Sequence, residues 1–265
     1  MTRVVQFRTL PVFGASERDV SEVVRGIMDG KTNNTGTITL ATGNATTTTL
    51  FDGRIGNESL LFFTPVSAAA FADSMPYGAF QDSTNQTAAS TTAAYAITLN
   101  TTDYSNGVYL SNSSRMNVRN AGVYNLQFSI QFKNTTNSSQ DIDVWFRKNG
   151  SDITASNSRF GVPARHSSGD PSHFIGALNY FIELAANDYL QIMWRVSDTS
   201  VSIEAFAAGT SPTRPAVPSV ITTVNYISPN ASENIYVSAQ QQGQATVSHW
   251  ANSTSNKMYG YIIVG

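Results

Sequence analysis

The stretch AGVYNLQFSIQFKN, residues 121–134, constrains the chain more than any other. Tyr124, Leu126, Phe128, Ile130 and Phe132 are large and apolar, whereas Asn125, Gln127, Ser129 and Gln131 between them are polar and uncharged. Alternation at a period of two sends successive side chains to opposite faces of a sheet. The first five are therefore expected in the core of a β domain, with the amides and the hydroxyl outside it. An uncharged polar face can remain solvated. It can also meet another protein surface or a polar ligand without the cost of desolvating a charge.

The same reticence about charge runs through the chain. Only 13% of its 265 residues are charged and the net charge is -2, against roughly a quarter charged in ordinary domains. Nothing there points to nucleic acid or an anionic membrane. There is no cysteine, which excludes a disulfide scaffold, a thiolate zinc site and a cysteine nucleophile. No run approaches the length of a membrane span. Arg3 and Arg8 interrupt the N-terminal apolar residues, so no signal peptide is expected. The Asn-X-Ser/Thr triplets then read as the product of an Asn-, Thr- and Ser-rich composition.

Residues 1–31 read as an extended arm followed by a helix. Pro11 and Gly14 oppose helix in the arm. Ser16 offers a cap with Asp19 three positions on; Val20, Val23, Val24 and Ile27 form an apolar stripe; Gly30 closes the helix. The arm is expected to dock and the helix to cover the end of a sheet. From Thr37 onward the chain reads as short strands and turns, with a hairpin at Asn149-Gly150, a second turn at Ala186–Asp188 and a rigid Pro-rich link at 211–218. This pattern indicates a sandwich or jelly roll. Polar, turn-rich seams at 73–91 and 228–234 divide it. Neither outer piece has strands enough for its own core, so 32–75 plus 233–265 are expected to form one split β base module, with 76–232 inserted as a jelly-roll domain.

SRMNVRNAGVYNLQFSIQF, DVWFRKNG and ALNYFIELAANDYLQIMWRVSD resemble the trimeric jelly roll of the tumour necrosis factor and complement globular-head type. The closest likeness is to the versions found in structural proteins of tailed bacteriophages, over roughly residues 80–228. The AGVYNLQFS strand and the ELAANDYLQI hairpin carry the match. Residues 30–65 and 245–265 resemble the two ends of a small β module common in phage structural proteins. Relatives often have a more Asn- and Asp-rich turn where this chain has SHWANSTSNKMYGYIIVG.

Candidate chemistry is sparse. His166, Ser167, Ser168, Asp170 and His173 share a loop, but no Gly-x-Ser-x-Gly elbow presents a nucleophile and the spacing matches no standard metal site. Asp141 and Asp143 share a face, as glycosidase carboxylates or as charges guarding an edge strand. Trp145, Tyr180, Tyr189 and Trp194 are expected in the core, with a trimer axis or a saccharide platform as the alternative. No enzyme activity, cofactor or metal is expected.

The resemblance implies a non-enzymatic virion protein, made in a bacterial cytoplasm and homotrimeric. Without a coiled coil or long shaft, it reads as a capsid-decorating cement protein or short head fibre, its base on the particle and its jelly roll outward. The alternative is a tail or fibre-tip protein that binds a host-surface glycan. Arg3, Phe7, Arg8, Leu10, Pro11 and Phe13 are the expected docking residues on the capsid or another virion protein.

Overall fold

The computed structural model describes residues 10, 12–28, 34–228, 235–252 and 256–265, with only the backbone at 72–74. The chain divides into two compact units, one made of residues 1–70 and 235–265 and the other of residues 71–234. It is mainly β, with a helical segment near the N-terminus. Among the described residues no helix is long and apolar enough to cross a membrane.

Helix α1 (Glu17–Met28) starts where Ser16 and Asp19 cap each other reciprocally. The Asp19 amide donates to Ser16 Oγ and the Ser16 amide to the Asp19 carboxylate, each at 3.2 Å, which satisfies two donors the first turn leaves free. The expectation that this helix covers a sheet is not met within the chain itself: none of its residues is buried. The expected closing residue, Gly30, lies outside the described residues. Strands β1 (Thr35–Thr39), β2 (Ala45–Phe51) and β3 (Leu60–Pro65) follow. Helix α2 (Ala68–Ser74) then carries the chain into the second unit.

That unit opens with β4 (Tyr77–Asp82), β5 (Gln86–Thr87), β6 (Tyr95–Ala96), β7 (Thr101–Asn106), β8 (Val108–Ser111) and β9 (Arg115–Val118). Two long strands, β10 (Gly122–Asn134) and β11 (Gln140–Lys148), lead to the short β12 (Ser151–Asp152) and β13 (Ser158–Val162). Next come β14 (Ser172–Leu184), β15 (Tyr189–Val196) and β16 (Val201–Ile203). A two-residue pair, β17 (Gly209–Thr210) with β18 (Thr213–Arg214), precedes β19 (Val220–Ser228). The chain returns to the first unit with β20 (Tyr236–Gln241), β21 (Gln244–Asn252) and β22 (Met258–Val264).

In the second unit one sheet runs β5-β16-β10-β19-β4-β7, and β14 lies along the other edge of β10. The other sheet runs β12-β11-β15-β9-β8, with β13 on β11 and β6 on β15. The alternation in β10 meets a single core: Tyr124, Leu126, Phe128, Ile130 and Phe132 are all buried, and the same cluster takes Ile142, Val144 and Phe146 from β11 and Trp194 from β15. The Phe128 and Phe146 rings, one from each sheet, lie 6.0 Å apart edge to face. Asn149 and Gly150 both have positive φ, 49° and 85°, the geometry of a type I′ turn, and β11 folds back on β12 there. The Phe146 ring also lies 4.9 Å from that of Tyr180, tilted by 38°. Its replacement by Ala is expected to cost the second unit about 3–5 kcal/mol, read as a lower urea midpoint at unchanged slope.

The second expected turn, at Ala186–Asp188, is present as a turn over 185–188 but does not close a hairpin. Asn187 has φ 68° and the Asp188 amide donates to the Ala185 carbonyl. The flanking strands then part: β14 pairs with β10, and β15 with β11 in the other sheet. Ile182 and Leu184 of β14 and Leu190, Ile192, Trp194 and Val196 of β15 enter one core cluster, so the turn serves as a corner from sheet to sheet.

The first unit has two three-stranded sheets, β1-β22-β3 and β2-β21-β20. Ile38, Leu40, Leu50, Ile55, Val247 and Tyr261 are among the side chains of its own buried cluster. Gly36 sits opposite Tyr261 in the ladder, and the tyrosine ring occupies the space a Cβ would need, at 2.3 Å. The ring thereby crosses β1, and its hydroxyl donates to Asp52 at 2.7 Å. Burial, then the Asp52 carboxylate, pushes the Tyr261 hydroxyl up to about 12. Arg54 holds the Asp52 carboxyl far below the usual range.

Candidate functional site: an open strand edge

β14 is a 13-residue strand paired along one side only, with β10. Among the described residues no strand pairs with its other edge. Its sequence, SHFIGALNYFIEL, has none of the usual guards of a free edge: no proline, no lysine and no charge between His173 and Glu183. Ile175 and Phe181 point away from the core and are each 57% exposed. Phe174, Leu178 and Tyr180 point the other way and remain partly accessible. A long strand edge with apolar side chains on both sides, left bare, is a template for further pairing.

The polar face of β10 lies beside it. Gln127 is exposed, and Asn125, Ser129 and Gln131 are half-buried. The ladder sets Asn125 between Phe181 of β14 and Asn225 of β19, and Ser129 between Ala177 and Ile221. The outer surface is thus a floor of amides and hydroxyls flanked by the exposed apolar residues Ile175, Phe181, Ile221 and Ile227. The Asn125 side-chain oxygen is buried there with no hydrogen-bond donor. At one end Glu204 accepts from Lys133 Nζ at 2.5 Å and pairs with His173 Nε2 at 2.9 Å. Burial would raise the Glu204 carboxyl, but hydrogen bonds from Lys133 and His173 outweigh it and the carboxyl is held below its ordinary value.

The other candidates separate. His166 and Ser167 close a turn on Asp170, whereas His173 turns to Glu204 and packs 5.2 Å from the Phe206 ring. Among the described residues no three His, Asp or Glu side chains converge as metal ligands. Asp141 and Asp143 do not guard an edge, because β11 is paired on both sides. Asp143 is buried and clamped by Arg159 at 2.8 Å and Arg195 at 2.6 Å. Hydrogen bonding to Arg159 holds its carboxyl below the usual range against the opposing effect of burial. Trp194 is core, while Trp145, Tyr180 and Tyr189 are half-buried, with the Arg115 guanidinium 4.4 Å over the Tyr189 ring. Of the expected docking residues, Leu10 and Phe13 are exposed; Arg3, Phe7, Arg8 and Pro11 lie outside the described residues.

His249 belongs to the first unit and is buried. Its Nδ1 lies 2.7 Å from the Trp250 carbonyl, which can only accept, so Nδ1 carries the proton. Nε2 then accepts from Thr48 Oγ1 at 2.8 Å, and that hydroxyl itself accepts from the Ala41 amide. Burial, reinforced by Lys257, lowers the His249 pKa. An unfolded chain therefore takes up this proton first as pH falls. The stabilisation is complete above about pH 6.5 and is lost below it, by at most about 1.4 kcal/mol per pH unit. Thermal unfolding of the first unit is expected to shift down between pH 7.5 and 5.5, and His249→Asn to flatten that dependence. No family model and no curated protein matches the chain.

Proposed function

We propose that this chain is a non-enzymatic structural protein of a tailed-bacteriophage virion, a capsid-decorating cement protein or short head fibre. In this reading the second unit is a jelly-roll sandwich that assembles as a homotrimer. The first unit and the arm face the particle, with Arg3, Phe7, Arg8, Leu10, Pro11 and Phe13 as docking residues. The virion assignment rests on the resemblance of residues 80–228 and of the two flanking stretches to phage structural modules.

The observation that carries the assembly is the bare β14 edge. A thirteen-residue strand with one edge unpaired among the described residues, and with Ile175 and Phe181 exposed, is a poor surface for a chain that lives alone and a good one for a chain buried against its copies. The β10 face from Asn125 to Gln131 beside the edge carries no charge and can enter the same contact without desolvating one.

Light scattering at micromolar concentration is expected to give the mass of a trimer. Ile175→Asp with Phe181→Asp places two carboxylates on the proposed contact without touching the core. Association is expected to weaken by at least about 100-fold, the scale of losing central contact residues, while the circular dichroism of the subunit persists. A wild-type monomer, or a variant that stays trimeric, would count against the assembly. Electron microscopy of intact virions, with the protein labelled, tests the location; label at the tail tip would favour the glycan-binding reading.

A further inference from the structure

Among the described residues nothing covers the outer face of the β1-β22-β3 sheet. Leu60 faces Val264 and Phe62 faces Ile262 across the ladder, and Val66 lies over Gly260 beside Met258. Leu60 and Phe62 are 61% and 59% exposed, and Val66, Met258, Ile262 and Val264 are exposed as well. None of the three strands contains a charged residue. Thr35, Thr37 and Thr39 line the β1 side of this face, and its apolar part lies on β22 and β3. A contiguous, uncharged and largely apolar face of this kind marks a contact surface.

The same unit holds a second bare apolar surface. Val20, Val23, Val24 and Ile27 form one stripe of α1, and the helix buries none of its residues. Glu17, Arg18, Asp19, Ser21, Glu22, Arg25, Gly26 and Met28 occupy its remaining positions, with Arg18 and Glu22 paired at 2.9 Å. The two surfaces suit each other in size and charge. A 12-residue helix is about 18 Å long, and the six residues of β3 span about 20 Å. Neither apolar surface carries a charge that docking would desolvate.

We propose that the outer face of the β1-β22-β3 sheet receives the α1 helix of a second copy of this chain. Residues 29–34 join α1 to β1 and reach about 20 Å at full extension, enough to cross to a neighbour. Among the described residues a single copy covers neither surface despite that reach, and what it lacks is another copy. The contact is too small to hold two chains together unaided. A helix 18 Å long and about 10 Å wide covers far less than the roughly 800 Å² per partner of a stable interface. It therefore acts between copies already held by their second units, as a strap that gains from high local concentration. The inference accordingly rests on the homotrimer proposed above.

The absence of native cysteine makes a crosslinking test clean. Val24→Cys and Phe62→Cys alter exposed positions and are combined in one chain, then treated with a flexible bismaleimide. Covalent dimers and trimers are expected on denaturing gels from the double variant and not from either single variant. Ile27→Cys with Ile262→Cys, also exposed, provides a second pair should the first misfold. Adding Ile175→Asp and Phe181→Asp is expected to abolish the covalent oligomers. A trimer by light scattering that crosslinks only within one chain, or not at all, overturns the strap and leaves the trimer standing. Oligomers from Val24→Cys alone overturn it in favour of helix pairing with helix. A monomer by light scattering overturns the trimer and the strap together.

Discussion

With residues 76–232 replaced by a short Gly-Ser loop, the remaining chain is expected to fold as a soluble β protein that melts cooperatively. The ladder of the first unit is the reason. β1 and β3 each pair with β22, and β2 pairs with β21. Among the described residues the three strands before the insertion do not pair with one another, and every strand partner they have comes from residues 235–265. Residues 1–75 alone and 233–265 alone are therefore expected to be unfolded, and a mixture of the two to regain the β spectrum. Its core draws Ile38, Leu40, Leu50 and Ile55 from one piece and Val247, Tyr259, Tyr261 and Ile263 from the other. Half of such a cluster cannot offset the conformational entropy of ordering its strands. A molten or aggregated product from the joined pieces would show that the first unit needs the second in order to fold.

Deleting residues 1–13 is expected to leave an assembled, folded protein that no longer decorates particles lacking the native protein. Val12 and Phe13 are almost fully exposed, Phe13 at 90%, and Leu10 is exposed beside them. The arm also carries Phe7 with Arg3 and Arg8, and no acidic residue. Each phenylalanine buried on a partner would contribute roughly 1.5–3 kcal/mol, and linked copies multiply a weak individual grip. The cap of α1 begins at Ser16, beyond the deletion, so the helix is retained. Melting and particle binding are measured on the same truncated protein. A destabilised protein that still decorates would show that the arm braces its own assembly.

Ligand chemistry was the least legible part of the sequence, and physically so. The loop with His166, Asp170 and His173 places three polar groups within eight residues, yet His173 finds its partner at Glu204, 31 positions on. Asp143 looks like a free carboxylate beside Asp141 until Arg159 and Arg195 arrive from 16 and 52 positions away. Such pairings depend on which strands become neighbours, which no local spacing encodes.

What the sequence determined by itself is whatever depends on short-range stereochemistry. The period of two in residues 124–132 requires a strand with one apolar face, because alternate side chains leave a pleated backbone on opposite sides. Asn149-Gly150 makes a tight turn because both residues tolerate positive φ. Ser16 and Asp19 start a helix because they satisfy amides that the first turn cannot. Only the tertiary structure decided where those elements go. The turn at 185–188 reads as a hairpin, but β14 and β15 pair in different sheets because each finds a long partner there, β10 and β11. Among the described residues β14 ends as an open edge because β19 and β16 take the other side of β10 and no strand reaches the far side of β14. The apolar stripe of α1 stays bare because amphipathicity specifies that a helix will cover something and leaves open what. Local rules act over a few residues; strand partners and edges are settled by competition among the whole chain's ladders for one buried core.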